Sequence, residues 1–354
     1  MKASIRQTSF VNPAPGWIVF LLIALAGLFY VKWFPYYNRA FVAAANHSIG
    51  SSILMGTANA PPAPSWEAAL GYASAYGKAI WQAMVLGLLL GSAVQALLPV
   101  QWIARLFGGI GFASVARGAL LSLPGMMCTC CAAPVVVGLR ERESSPGAAI
   151  SFWLGNTVLN PATLIFMGFV LGWNWTALRF GLGILMVFGV GYLVNRTMTP
   201  DEAELADRRI AQLAAETTVS GSFTRWLDIL RRMAVRLIPE YIILVLLLGA
   251  ARAWLFPHAG PEIHNTVGWI IGLAIAGTIF VIPTAGEVPI VQAMLSLGVG
   301  VGPAAALLMT LPPVSLPSLA IISRSFRPQT LLLVTLCVVA FGVAGGLLAM
   351  TLNF

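Results

Sequence analysis

Charge is what this chain has least of. Only 9% of its 354 residues are Asp, Glu, Lys or Arg, acidic residues number 12, and there are three histidines and four cysteines. Set against 58% apolar residues and a mean hydropathy of +0.86, this scarcity excludes a water-soluble globule, whose surface would carry very large apolar patches. The histidines, His47, His258 and His264, are scattered, and neither H-E-x-x-H nor G-x-S-x-G occurs, so hydrolase chemistry has no support and no enzyme is expected. A G-x-x-x-x-G-K-[ST] loop is also missing, so an ATP-driven pump needs a separate subunit. The net charge of +8 does not make a nucleic-acid stripe, because the basic residues sit in loops, as topology determinants do.

What is there is a series of apolar runs long enough to cross roughly 30 Å of hydrocarbon. They lie at Trp17–Phe34, Ala79–Leu98, Ala148–Leu171, Ala177–Val194, Leu237–Leu255, Val267–Ile282, Ala304–Ile322 and Leu331–Leu352. The expected fold is an all-α polytopic membrane protein. Trp17–Phe34 reads as an uncleaved first helix behind Lys2 and Arg6, closing in an interfacial belt of Tyr30, Trp33 and Phe34 with Lys32 at its edge. The arginines from Arg196 to Arg236 form the densest basic stretch and place that linker in the cytoplasm; within it Pro200–Ala215 reads as a short solvated helix. Pro35–Tyr76, whose only charges are Arg39 and Glu67, belongs outside.

The second half repeats the first. Leu88-Leu89-Leu90-Gly91 and Pro99 match Leu246-Leu247-Leu248-Gly249 and Pro257, Pro134 matches Pro289, Gly147 matches Gly302, and Asn160-Pro161-Ala162 matches Leu316-Pro317-Ser318. The expected division is an N-terminal helix and outer loop over residues 1–76, a first repeat over 77–195, a cytoplasmic linker over 196–236 and a second repeat over 237–354. Basic residues sit at Arg105, Arg140 and Arg142 in the first repeat, but the corresponding loops of the second have none until Arg324 and Arg327, which predicts inverted topology with a site at mid-membrane. One segment in each repeat, Gly108–Leu139 and Val267–Leu295, is interrupted at Leu123-Pro124-Gly125 and at Pro283 and Gly286, which predicts broken or re-entrant helices.

Three of the four cysteines, Cys128, Cys130 and Cys131, fall at the first interruption. Thiolates select soft acceptors such as Cu(I), zinc, mercury or trivalent arsenic, so these residues are candidate substrate ligands or a transported-ion site, with Met126 and Met127 as further thioether candidates. Adjacent cysteines bridge only with strain, which argues against a structural disulfide, and Cys337 alone in the last run reads as packing. Glu287, at the second interruption, is a carboxylate at bilayer depth and the candidate proton-coupling group, with Arg117 as a candidate partner. Asn156, Asn160 and Thr310 are polar at similar depth and candidate lining of the same cavity. Cys128 and Cys131 also have the spacing of a redox pair, so thiol–disulfide exchange is one alternative reading, and a permease for an unrelated small solute, a sulfur compound or anion included, is the other.

The stretch Cys128-Thr129-Cys130-Cys131-Ala132-Ala133-Pro134 fits a C-x-C-x-x-x-P signature, and on it the chain resembles the predicted permeases, a family defined by a domain of unknown function that includes the organoarsenical efflux permeases. The resemblance runs from about Gly77 to the C-terminus. It implies a multi-pass permease of the bacterial inner membrane, with relatives that export trivalent organoarsenicals or confer metal resistance. No cofactor is expected; the expected partners are the lipid bilayer and a small transported solute, without nucleic acid, and a homo-oligomer is compatible with the pattern. Cys131 stands where similar permeases commonly have glycine, and the second repeat has Pro283, Ala285 and Gly286 in place of the thiols.

Overall fold

The computed structural model describes residues 14–54, 62–198, 204, 208, 212, 223–256, 260–352 and 354. The elements are α1 (Ala14–Leu28), a π-helical turn (Phe29–Trp33), α2 (Phe34–Asn46), α3 (Trp66–Leu97), α4 (Val100–Phe107), α5 (Phe112–Ser122), α6 (Thr129–Arg140), α7 (Pro146–Val158), α8 (Pro161–Val170), α9 (Trp173–Arg196), α10 (Phe223–Leu255), α11 (Val267–Ile279), α12 (Glu287–Ser296), α13 (Val301–Thr310), α14 (Leu316–Ile322) and α15 (Pro328–Thr351). No strand occurs among the described residues. Among the described residues, six helical segments are long and apolar enough to span a bilayer, or seven if α4 and α5, bent by 111°, count as one. The molecule is an all-α, multi-pass membrane protein.

Three expectations about the spans need correction. The first span does not stop at Phe34 but continues to Asn46. Pro35 falls in the first turn of α2, where a missing N–H costs nothing, and the π-helical turn absorbs the change of register. Lys32 is therefore inside the span and buried, not interfacial. Val267–Ile282 is also no span, because α11 holds only 13 residues, about 20 Å, and ends before Pro283. Ala304–Ile322 splits into α13 and α14 at Pro312-Pro313. The proposed helix Pro200–Ala215 lies largely outside the described residues.

The two interrupted segments form helical hairpins. α5 runs parallel to α7, with Gly118 against Ala148 and Gly155 against Ser122, and α6 runs parallel to α3, with Gly87 against Cys131 and Gly91 against Pro134. The Ser145 amide after α6 donates to Phe107 O before α5 (2.8 Å), so the first hairpin enters and leaves at one end of the bundle. In the second half α11 runs parallel to α13, with Gly277 against Thr310, and the Gly300 amide after α12 donates to Ile263 O before α11 (2.7 Å). The leading helices of the halves, α3 and α10, pack antiparallel: Trp226 Nε1 donates to Ser92 Oγ (2.9 Å) near one end and Gly249 packs on Tyr72 near the other. The two hairpins therefore enter from opposite ends, and their tips, residues 123–128 and 280–286, meet inside the bundle. Close approach depends on small residues: a Cβ at Gly87 would overlap the Cys131 carbonyl, and one at Gly91 the Pro134 carbonyl.

Candidate functional site where the hairpin tips meet

At the first tip Pro124 ends α5, and its carbonyl, freed from helical pairing, accepts from Trp33 Nε1 (2.8 Å). Met126 then turns through the left-handed region (φ 47°), and Cys128, extended, is the N-cap of α6. Asn156 packs its amide on Gly125 and accepts from the Met127 amide (3.5 Å), while Trp153 Nε1 donates to Thr129 O (3.0 Å). The tip is thus held from α7.

Cys128 and Cys131 lie one helical turn apart on the same face, and their sulfurs are 2.7 Å apart. Cys130 faces the other way, with its Sγ 3.7 Å from Ser315 Oγ on the second half. The three thiols are buried and free but do not converge, and no cluster of three His, Cys, Asp or Glu side chains suited to a metal occurs among the described residues. The residue that touches Cys128 is Cys131, the departure from the family signature.

At the second tip Pro283 and Ala285 (φ 66°) turn the chain, and α12 begins at Glu287. Cys128, Met127, Thr284 and Glu287 line one small cavity of about 10 Å³, room for no more than a water. Glu287 is therefore brought beside the thiol pair. Its partner is not Arg117, which is exposed and donates to Arg105 O and Leu106 O (3.3 and 3.1 Å), but Arg179 of α9. Arg179 Nη1 lies 2.6 Å from Glu287 Oε1, while Nε and Nη2 donate to Val158 O (3.1 Å) and Thr157 O (2.7 Å), the carbonyls left open at the break between α7 and α8.

The remaining candidates are elsewhere. Asn160 is the N-cap of α8, accepting from the Ala162 and Thr163 amides (3.1 and 3.3 Å). Thr310 donates to Ala306 O (3.0 Å) and packs against Gly277 and Gly342, a helix contact within the second half. Met127 lines the small cavity, whereas Met126 faces an outer apolar groove beside Trp33 and Phe166.

Sequence reasoning missed three residues here. Arg179 sits two residues inside the apolar run Ala177–Val194, where nothing local in the sequence marks it. Lys32, whose Nζ donates to Thr284 Oγ1 and Tyr36 OH (both 3.2 Å), was assigned to an interface because Pro35 looked like a helix end. Thr284 carries no signal in sequence beyond its place between Pro283 and Gly286. Two larger cavities lie farther out along the bundle, of which one borders a tip. One of about 630 Å³, beside α2 and the start of α3, shares Pro283, Thr284 and Ala285 with the small cavity; one of about 420 Å³, near Arg225, Arg232 and Arg324, lies at the opposite end of α3.

Residues 66–351 match the family described as predicted permease. The chain is 48% identical over 348 residues to UPF0718 protein YraQ of Escherichia coli (strain K12), which covers 96% of each chain. It is 23% identical over 337 residues to UPF0718 protein MJ0584 of Methanocaldococcus jannaschii, covering 75% of this chain and 90% of that protein. No solved structure matches it.

Proposed function

The chain belongs to the predicted permease family, and we propose that this membrane permease is a secondary exporter of a soft species, a metal, metalloid or trivalent organoarsenical, residing in the bacterial inner membrane. The observation that carries this reading is the Cys128–Cys131 pair, 2.7 Å apart at the meeting point of the two tips, beside a small cavity that shares Thr284 with a larger one opening toward one end. Two thiols on one helix face offer two exchangeable bonds to a soft centre, which suits capture and release; a closed four-ligand zinc site would not let go. Cys130 is held against the second half and acts in this reading as a spacer between repeats. Glu287 couples the cycle to protons by parting from Arg179 when it takes one up, so the ion pair is the gate between the two loaded states.

A second reading follows from the same contact. Two sulfurs at 2.7 Å are placed for disulfide exchange with a partner thiol. The experiment that separates the two is the resistance and cellular accumulation profile of a strain lacking this protein against a panel of organoarsenicals and soft metals. Efflux predicts hypersensitivity with raised accumulation of at least one compound. Accumulation equal to the parent's across the panel sinks the soft-substrate reading.

A further inference from the structure

The 630 Å³ cavity is lined by three cations, Lys32, Arg39 and Arg252, and, among the described residues, by no carboxylate. Lys32 is 3% exposed and, among the described residues, bonds to the neutral hydroxyls of Thr284 and Tyr36. Arg252, 8% exposed, lies over the Tyr72 ring at 5.6 Å, and its Nε has no hydrogen-bond partner among the described residues. Ser52 Oγ, buried in the same wall, has none either.

Buried cations without counter-charge are expensive, and buried donors are normally satisfied. Arg39 is exposed and donates to Ile49 O, so the buried cations of this wall are Lys32 and Arg252. On the topology read from the sequence this is also the outer end, where Lys and Arg are depleted. The cavity at the opposite end differs: its cations include Arg324, paired with Glu240 (3.2 Å), and Arg232, paired with Asp228 (2.8 Å). α6 and α12 both begin at the tips, so the positive ends of two half-helices face the same junction.

Resting on the permease reading, we propose that the solute is a small anion carrying a soft acceptor atom such as trivalent arsenic: Lys32, Arg252 and Ser52 hold its charge in the outer cavity, and Thr284, which borders both cavities, leads the acceptor atom to Cys128. The volume suits a small molecule. Neutral soft compounds lack the group that this cavity is built to hold.

The test uses the purified full-length protein and three probes: 4-arsenosobenzoate, an anion carrying trivalent arsenic; benzoate, its counterpart of equal charge without a soft atom; and neutral phenylarsine oxide as a dithiol ligand. Arsenosobenzoate should bind the wild type more tightly than benzoate or phenylarsine oxide, and Arg252→Gln and Lys32→Gln should each weaken it at least about tenfold, with Arg252→Lys retaining most of the affinity. Removing an unpaired buried charge should leave the melting temperature equal or higher, the opposite of a structural role. Phenylarsine oxide should titrate the thiols identically in all these proteins. Arsenosobenzoate affinity unchanged in both charge variants, or no tighter than that of phenylarsine oxide for the wild type, overturns the proposal. Arsenosobenzoate binding no tighter than that of benzoate, with no phenylarsine oxide binding, overturns the thiol-site reading instead.

Discussion

Arg179 and Glu287, 108 positions apart in sequence, form a fully buried ion pair at 2.6 Å, and the same guanidinium closes the open carbonyls of Thr157 and Val158. One side chain thus ties α9, the break between α7 and α8, and the second hairpin tip. Breaking a buried pair from one side strands a charge and costs about 3–5 kcal/mol, whereas replacing both partners with apolar or neutral groups is close to neutral.

Glu287→Gln should accordingly lower the melting temperature of the detergent-solubilised protein, and Arg179→Gln combined with Glu287→Gln, which removes both charges and keeps an amide donor for the Thr157 and Val158 carbonyls, should recover part of the loss. If Glu287 couples transport to protons, the recovered double variant folds but no longer responds to an imposed pH gradient in inverted vesicles. A double variant with normal rate and normal pH dependence assigns the pair to structure and moves coupling elsewhere.

Gly87 makes a separate prediction about how the thiols are held. Its Cα hydrogen faces the Cys131 carbonyl, a backbone atom that cannot swing away. Gly87→Ala should destabilise by about 1–3 kcal/mol through overpacking, and bulkier residues by more. Gly71, with open space around it, is the control, and its alanine variant should melt like the wild type.

The sequence carried the class, the breaks and the cysteines because each depends on local composition: long apolar runs, Pro with Gly, and residue type. It carried the position of Glu287 for the same reason. Partners were not legible, since the distance between Arg179 and Glu287 in the chain leaves no periodic trace, and Arg117 was chosen on depth alone. Lys32 shows a subtler failure. A proline ordinarily marks the end of a helix, but at the first turn of α2 it costs nothing, so the span ran on and carried a lysine into the interior. The C-x-C signature likewise drew attention to Cys130, whereas helical geometry pairs Cys128 with the residue three along.

Topology follows from the hairpins entering at opposite ends and from the basic linker. Single cysteines at Gln212 and Arg231, both exposed, should label from the cytoplasm, and those at Glu67 and Glu262, also exposed, from the periplasm, in a background without native thiols. Labelling of Glu67→Cys and Arg231→Cys, at the starts of the two leading helices, from one side contradicts the inverted arrangement.

The thiols themselves divide into a pair and two singles, and each should behave according to its contacts. Cys128 and Cys131 share one helix face and provide both bonds to a soft ligand, so Cys128→Ser and Cys131→Ser should each weaken phenylarsine oxide binding by more than about tenfold, the loss of one of two exchangeable bonds. Cys130, turned toward Ser315, should tolerate serine with little change in that binding, because a hydroxyl keeps its hydrogen-bonding neighbours. Cys337, half-buried and alone on α15, should be silent on substitution. Serine is nearly isosteric with cysteine, so folding should survive throughout, and membrane abundance serves as the check. If Cys130→Ser abolishes binding while Cys131→Ser leaves it intact, the i, i+3 pair is not the ligand, and the tip must open before the solute is held.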